Sequence, residues 1–229
     1  GQRGLHGKIS NSLVEIESVI QPDPLSGKLD MSITGIIKES RVFGPNLELR
    51  RTISGRLGTA EITISDKVTN RGNASAPHMI LYHCNFGWPL IDEGTKIIYK
   101  GICKSRGNKL DDEIFNNRNN YKICRKPLES HRGCGEACGF IDVKPDSGNV
   151  CVVGLYNDKL KLGIEIRYNK KQLPWLTNWQ HWGPGEYVTA LEPGTNPPIG
   201  QGKARTQKEL IFLEPGQTKT YELKISVNT

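Results

Sequence analysis

The sequence predicts an all-β chain, mostly antiparallel and built as a sandwich, and three observations carry that prediction. Apolar and polar residues alternate with period two through long stretches. Clusters of Gly, Pro, Asn and Asp fall between those stretches. No segment keeps the 3.6-residue period of an amphipathic helix for three turns.

The strand candidates come in order. Leu29, Met31 and Ile33 alternate first, then Leu47, Leu49 and Ile53, then Ile62 and Ile64. Further on are Leu160, Leu162, Ile164 and Ile166, and finally Tyr221, Leu223, Ile225 and Val227. Such alternation marks strands with one face buried. Asn70-Arg71-Gly72-Asn73, Pro145-Asp146-Ser147-Gly148 and Glu214-Pro215-Gly216-Gln217 supply turn chemistry between them. The best helical candidate, residues 111–117, is short. Residues 101–138 are the least patterned and include Asn116-Asn117-Arg118-Asn119-Asn120. They are expected to form an irregular, functional loop within a single domain spanning residues 1–229.

Composition narrows the function classes. The 229 residues are 36% hydrophobic and 24% charged, too apolar for a chain disordered throughout. No apolar run approaches the roughly 20 residues of a membrane span, so no membrane role is expected. The net charge is +7 and the pI about 9.1. The basic residues, however, fall in scattered pairs (Arg50-Arg51, Arg125-Lys126, Lys170-Lys171) rather than on one face, which reads as solvated surface and not as a nucleic-acid interface. The six cysteines, Cys84, Cys103, Cys124, Cys134, Cys138 and Cys151, show no disulfide framework and are expected as reduced thiols of a cytoplasmic protein. Gly1-Gln2-Arg3-Gly4 reads more like an interior than a natural start, which leaves a removed leader open.

Three segments join glycine turns, aromatics and titratable groups: Gly4-Leu5-His6-Gly7-Lys8-Ile9-Ser10-Asn11, the stretch from Leu81 through His83 and Asn85 to Gly94, and Tyr187 to Asn196 around Glu192. Polar residues at strand ends are where rigid sheets present catalytic groups. A histidine and a glutamate facing each other across a cleft could exchange protons near neutral pH. Taken singly, such a histidine is more often structural and such a glutamate solvated or salt-bridged.

The ordered blocks resemble a known family. Asp66-Lys67-Val68-Thr69-Asn70-Arg71-Gly72, then Pro77 and His83-Cys84-Asn85-Phe86-Gly87, resemble the strand–turn–strand of aldose 1-epimerases (galactose mutarotases), and Leu191-Glu192-Pro193 their late catalytic strand. Closer still is the divergent mutarotase-like branch of the DUF4432 type, which also shares the turn Leu213-Glu214-Pro215-Gly216-Gln217-Thr218. The resemblance spans nearly the whole chain. It implies a β-supersandwich of the galactose mutarotase-like type, here lacking some N-terminal strands.

The resemblance also implies roles. His83 matches the acid that protonates the sugar ring oxygen, and Glu192 the base that takes the anomeric proton. His6 resembles the family's second histidine, Asp92 its sugar-binding carboxylate and Arg51 its arginine. Asn85, Trp88, His131 and Trp179 join them as substrate-binding candidates, His131 and Glu136 falling where the branch shows a His-Gly…Glu segment. Sugar sites favour flat aromatic faces, although Trp88, Trp175, Trp179 and Trp182 could equally be core, and His181 reads as structural.

Cys124, His131, Cys134 and Cys138 form C-x6-H-x2-C-x3-C, but only the last two approach the paired spacing of structural zinc. No metal and no cofactor is expected. The expected function is sugar anomer interconversion by His/Glu acid–base catalysis. The alternatives are a non-catalytic carbohydrate-binding protein, on an opened cleft or an edge that forms a homodimer, and a proton-transfer enzyme acting on a keto-sugar.

Overall fold

A computed structural model describes residues 6–116 and 120–229. Gly1 to Gly4, whose sequence reads like an interior stretch, and Asn117, the last residue of the helical candidate, lie outside these residues. The chain divides into two compact units, one of residues up to His78 with Leu210–Lys224, the other of Met79–Glu209 with Ile225–Thr229.

In the first unit β1 (Glu15–Ile20), β2 (Asp30–Ser40), β3 (Asn46–Arg56) and β4 (Glu61–Asn70) form an antiparallel meander, followed by the short β5 (Ala76–His78). Its alternation differs from expectation in one respect. Val19, Ile33 and Ile53 lie opposite one another across three strands, yet they stay 57%, 41% and 38% exposed. Here period two records the pleat without marking a buried face.

The Asp66–Gly72 run does structural work in this unit. Asp66 is buried on β4 and takes two bonds from Arg51, at 2.8 and 2.6 Å, across the pair with β3. Asn70 is fully buried. Its amide donates to the carbonyls of Ala74 and Leu213, both at 2.8 Å, and its Oδ1 accepts from the Gly72 amide. One side chain thus closes the turn after β4 and ties it to the distant chain return.

The second unit contains β6 (Cys84–Phe86), β7 (Lys96–Tyr99), β8 (Gly101–Ser105), α1 (Lys109–Ile114), β9 (Ala137–Val143), β10 (Val150–Asn157), β11 (Leu162–Asn169), β12 (Trp175–Gly183), β13 (Glu186–Gly194) and α2 (Gln201–Thr206). Five of these strands form one sheet in the order β6-β13-β12-β9-β8, while β10 pairs with β7 and β11. The chain then returns through β14 (Ile211–Leu213), which pairs with β5, and β15 (Thr218–Asn228).

The three turn clusters all fall between strands. In one of them Asp146 Oδ1 accepts from the Gly148 and Val150 amides, both at 2.8 Å, between β9 and β10. The stretch 101–138, expected as an irregular loop, instead contains β8, α1 and the start of β9. A five-residue edge strand is too short to show periodicity. The helix overlaps the short helical candidate 111–117 and opens on a capping box, in which Asn108 and Asp111 each accept the other's backbone amide. Among the described residues no helix is long and apolar enough to cross a membrane.

Candidate active site

The five-stranded sheet of the second unit is centred on the β12–β13 hairpin. Side chains alternate, so Leu176, Asn178, Gln180 and Trp182 point to one face with Leu191 and Thr189. That face is buried and internally bonded. The Asn178 amide donates to Thr189 Oγ1 (3.1 Å) and the Ala190 carbonyl (3.0 Å), Gln180 donates to Asn178 Oδ1 (2.7 Å), and the Trp182 indole donates to Gln180 Oε1 (3.0 Å).

The opposite face carries the titratable candidates. Cys84 pairs with Leu191, so one residue further His83 stands opposite Glu192. Glu192 in turn faces Thr177, Thr177 faces Phe140, and Phe140 faces Lys104. One row therefore crosses all five strands. At its end His83 Nε2 lies 3.0 Å from Glu192 Oε1, with the Glu192 side chain only 4% exposed. This is ion-pair distance without hydrogen-bond geometry: Oε1 makes no hydrogen bond, and neither does the buried Thr177 Oγ1 beside it. Burial, and after it the negative charge of Glu136, pushes the Glu192 carboxyl from its ordinary 4.5 up to about 8.

The next row holds Asn85, Ala190, Trp179 and Cys138. Ala190 offers only a methyl group opposite the indole. Trp179 meets the His83 ring edge-on with centroids 6.0 Å apart, and stacks on His181 at 5.8 Å with the planes 6° from parallel. Its Nε1 donates to Glu136 Oε2. Glu136 Oε1 accepts from Arg106 Nη1 at 2.8 Å, and Arg106 also donates to both oxygens of the buried Asp111, each at 3.0 Å. Burial raises the Glu136 carboxyl, but the bonds from Arg106 and Trp179 outweigh it and hold it below the ordinary value.

The structure thus brings His83, Glu192 and Trp179 into contact and sets Asn85, exposed on β6, in the row of Trp179. His131 lies next to the Trp179–His181 stack, its ring 6.0 Å from that of His181. It is fully buried, its Nδ1 accepts the Trp182 amide at 3.0 Å, its Nε2 has no bonding partner, and burial followed by the neighbouring His181 lowers its pKa. His181, read from sequence as structural, is 7% exposed with Nδ1 against the Gly135 carbonyl. Trp88 is 83% exposed. Asp92 sits in a turn, bonded to Lys159 Nζ at 3.1 Å and to the Glu93 amide. Arg51 and His6 belong to the first unit, where Arg51 holds Asp66 and His6 is exposed with a φ of 64°.

None of the six cysteines is in a disulfide, and burial pushes the Cys138 thiol up to about 12. Among the described residues no three His, Cys, Asp or Glu side chains are grouped to hold a metal ion. Sequence reasoning missed Arg106, Thr177 and the Glu136–Trp179 link. The only available signal was the spacing that sets Thr177 and Trp179 on the same face of one strand.

The model of a family described as a domain of unknown function, DUF4432, matches residues 1–227. No curated protein matches the sequence significantly. Among solved structures, the chain is similar to a Klebsiella pneumoniae protein provisionally assigned as an aldose 1-epimerase. The TM-score is 0.85 at 24% identity, covering 97% of this chain and 56% of that one, so the chain spans just over half that protein's length. It is also similar to a galactose mutarotase-like protein from Clostridium acetobutylicum (TM-score 0.67, 12% identity, 98% and 69% covered). A third likeness is to a galactose mutarotase related enzyme from Lactobacillus acidophilus (TM-score 0.66, 13% identity, 99% and 75% covered). At these identities the likeness shows the fold alone, an antiparallel β-sandwich shared with these proteins.

Proposed function

The chain belongs to the DUF4432 family, and from that premise we propose that it interconverts the anomers of a sugar by acid–base catalysis. The observation that carries the reading is the 3.0 Å approach of His83 Nε2 to Glu192 Oε1 beside the Trp179 indole. Mutarotation asks for one proton donor and one acceptor at a hemiacetal. Glu192 takes the proton of the anomeric hydroxyl while His83 gives its Nε2 proton to the ring oxygen. The C1–O5 bond breaks, C1 becomes an aldehyde, and rotation about C1–C2 exposes its other face. Reclosure returns both protons to their owners.

Three features of the site support these roles. A carboxyl held at about 8 is a stronger base than an ordinary glutamate, although only about a tenth of it is ionised at pH 7. Glu192 Oε1 and Thr177 Oγ1 are buried oxygens without hydrogen bonds on adjacent strands, and a sugar hydroxyl between them would satisfy both. The indole opposite the small Ala190 offers a flat apolar surface for the C–H face of a pyranose.

Saturation-transfer NMR between anomer signals tests the proposal. The wild-type protein is expected to accelerate exchange for at least one aldose, with activity rising on the acid side as pH passes about 8. His83→Asn and Glu192→Gln are each expected to lose on the order of 10²- to 10⁴-fold. Calorimetric sugar binding without exchange, with Glu192→Gln unchanged, would overturn catalysis and leave a carbohydrate-binding protein.

A further inference from the structure

We infer that Glu136 is a positioning residue: it fixes the Trp179 indole, and through it the His83 ring, and supplies a fixed negative charge beside Glu192. The inference rests on the acid–base reading above and deepens it. It stands on an unbroken chain of contacts that starts well away from the reacting pair.

The chain begins at Asp111, which is fully buried on α1. Its carboxylate accepts the Asn108 amide at 3.0 Å, the Cys138 amide at 2.8 Å and two bonds from Arg106 at 3.0 Å each, so every oxygen lone pair has a defined use. Arg106 is pinned a second time by its backbone, whose amide donates to the Cys138 carbonyl at 3.0 Å. With the guanidinium fixed, its remaining Nη1 donates to Glu136 Oε1 at 2.8 Å. Glu136 Oε2 then takes the Trp179 indole N–H, and the Trp179 ring meets His83 on one side and His181 on the other.

The chemistry at Glu136 requires a carboxylate. Two donors, the Arg106 guanidinium and the Trp179 N–H, face its two oxygens. A glutamine has one acceptor oxygen and an NH2 group, which would meet a donor whichever way the amide is turned. A neutral side chain would also remove one of the charges around Glu192. The ionisable groups facing Glu192 are His83 from the β6 side and Cys138 and Glu136 from the β9 side, with Arg106 beyond Glu136. Of these, only Glu136 is a permanent anion at neutral pH, so its removal shifts Glu192 toward easier ionisation.

Two substrate-free measurements test the relay. The Trp179 indole N–H resonance, assigned by its loss in Trp179→Phe, reports the bond to Glu136. Carbon-13 carboxyl NMR, with the Glu192 signal assigned by Glu192→Gln, reports its titration. Glu136→Gln is expected to move the indole proton upfield and lower the Glu192 midpoint by roughly one pH unit, with far-ultraviolet circular dichroism unchanged. Glu136→Asp keeps both acceptors and the charge, and is expected to restore most of each signal. In kinetics, Glu136→Gln is expected to lower kcat about tenfold with a much smaller change in KM.

If Glu136→Gln folds and leaves both NMR signals at their wild-type positions, the inference is overturned, whatever the activity. If Glu136→Gln does not fold, Arg106→Lys replaces it, and an unmoved indole resonance there overturns the inference equally. Absence of mutarotation in the wild-type protein would remove the functional reading while leaving these two signals, and the relay they report, intact.

Discussion

The buried carboxyl of Glu192 makes folding stability depend on pH in a direction opposite to that of most acidic side chains. Its proton is held up to about 8 in the folded protein, against an ordinary 4.5 in an unfolded chain. Below about pH 4.5 both states keep the proton and the group has no effect. As pH rises toward 8 the unfolded chain ionises while the folded protein stays protonated, so unfolding releases a proton and stability falls. Each pH unit in that window costs about 1.4 kcal/mol, which gives roughly 3 kcal/mol at pH 7 and a ceiling near 5 kcal/mol above pH 8. Glu192→Gln removes this titration. Its stability relative to wild type is therefore expected to climb by about 3 kcal/mol between pH 4 and pH 7. Urea unfolding followed by tryptophan emission is the suitable assay, because Trp88, Trp175, Trp179 and Trp182 all lie in the second unit and report on the part that holds the site. Repeating the comparison in a His83→Asn background removes the imidazole's own titration from the difference. A difference that stays flat from pH 4.5 to 8, or falls with pH, would refute the reasoning.

Two further substitutions probe the surroundings of the pair. Thr177→Val replaces a buried hydroxyl that has no hydrogen bond. It is expected to leave stability unchanged or raise it by about 0.5 kcal/mol, while sugar binding measured by calorimetry weakens about tenfold. Asp111→Ala removes a buried carboxylate that accepts Arg106 and the Asn108 and Cys138 amides. Chemical unfolding should show a loss of about 3–5 kcal/mol, because two donors of the half-buried guanidinium and the Cys138 amide are left without an acceptor.

The sequence was most legible where chemistry is local. Pro145 to Gly148 and Glu214 to Gln217 announce their turns because an aspartate acceptor or a glycine at positive φ acts within four residues, as at Asp146 and Gly216. Alternation gave the long strands for the same reason, although in β2 and β3 it did not reveal that Ile33 and Ile53 stay exposed. Resemblance, rather than periodicity, singled out His83 and Glu192. What brings them to 3.0 Å is the pairing of β6 with β13, a contact across more than a hundred residues. Arg106, Thr177 and the link from Glu136 to Trp179 were illegible because they depend on the registers of β9 with β12 and of β8 with β9. No single stretch of chain records such registers, and five-residue β8 is itself too short to stand out.

The bonded layer beneath the β12–β13 hairpin distributes freedom unevenly between the two partners above it. Asn178, Gln180, Trp182 and Thr189 tie that hairpin from below, so Glu192 rides on a stiff floor. His83, by contrast, adjoins β6, a three-residue strand that the sheet grips along one margin only. If the proposed site takes a ligand, accommodation is therefore expected to fall to the imidazole, with the Glu192 carboxyl as the stationary anvil against which it works.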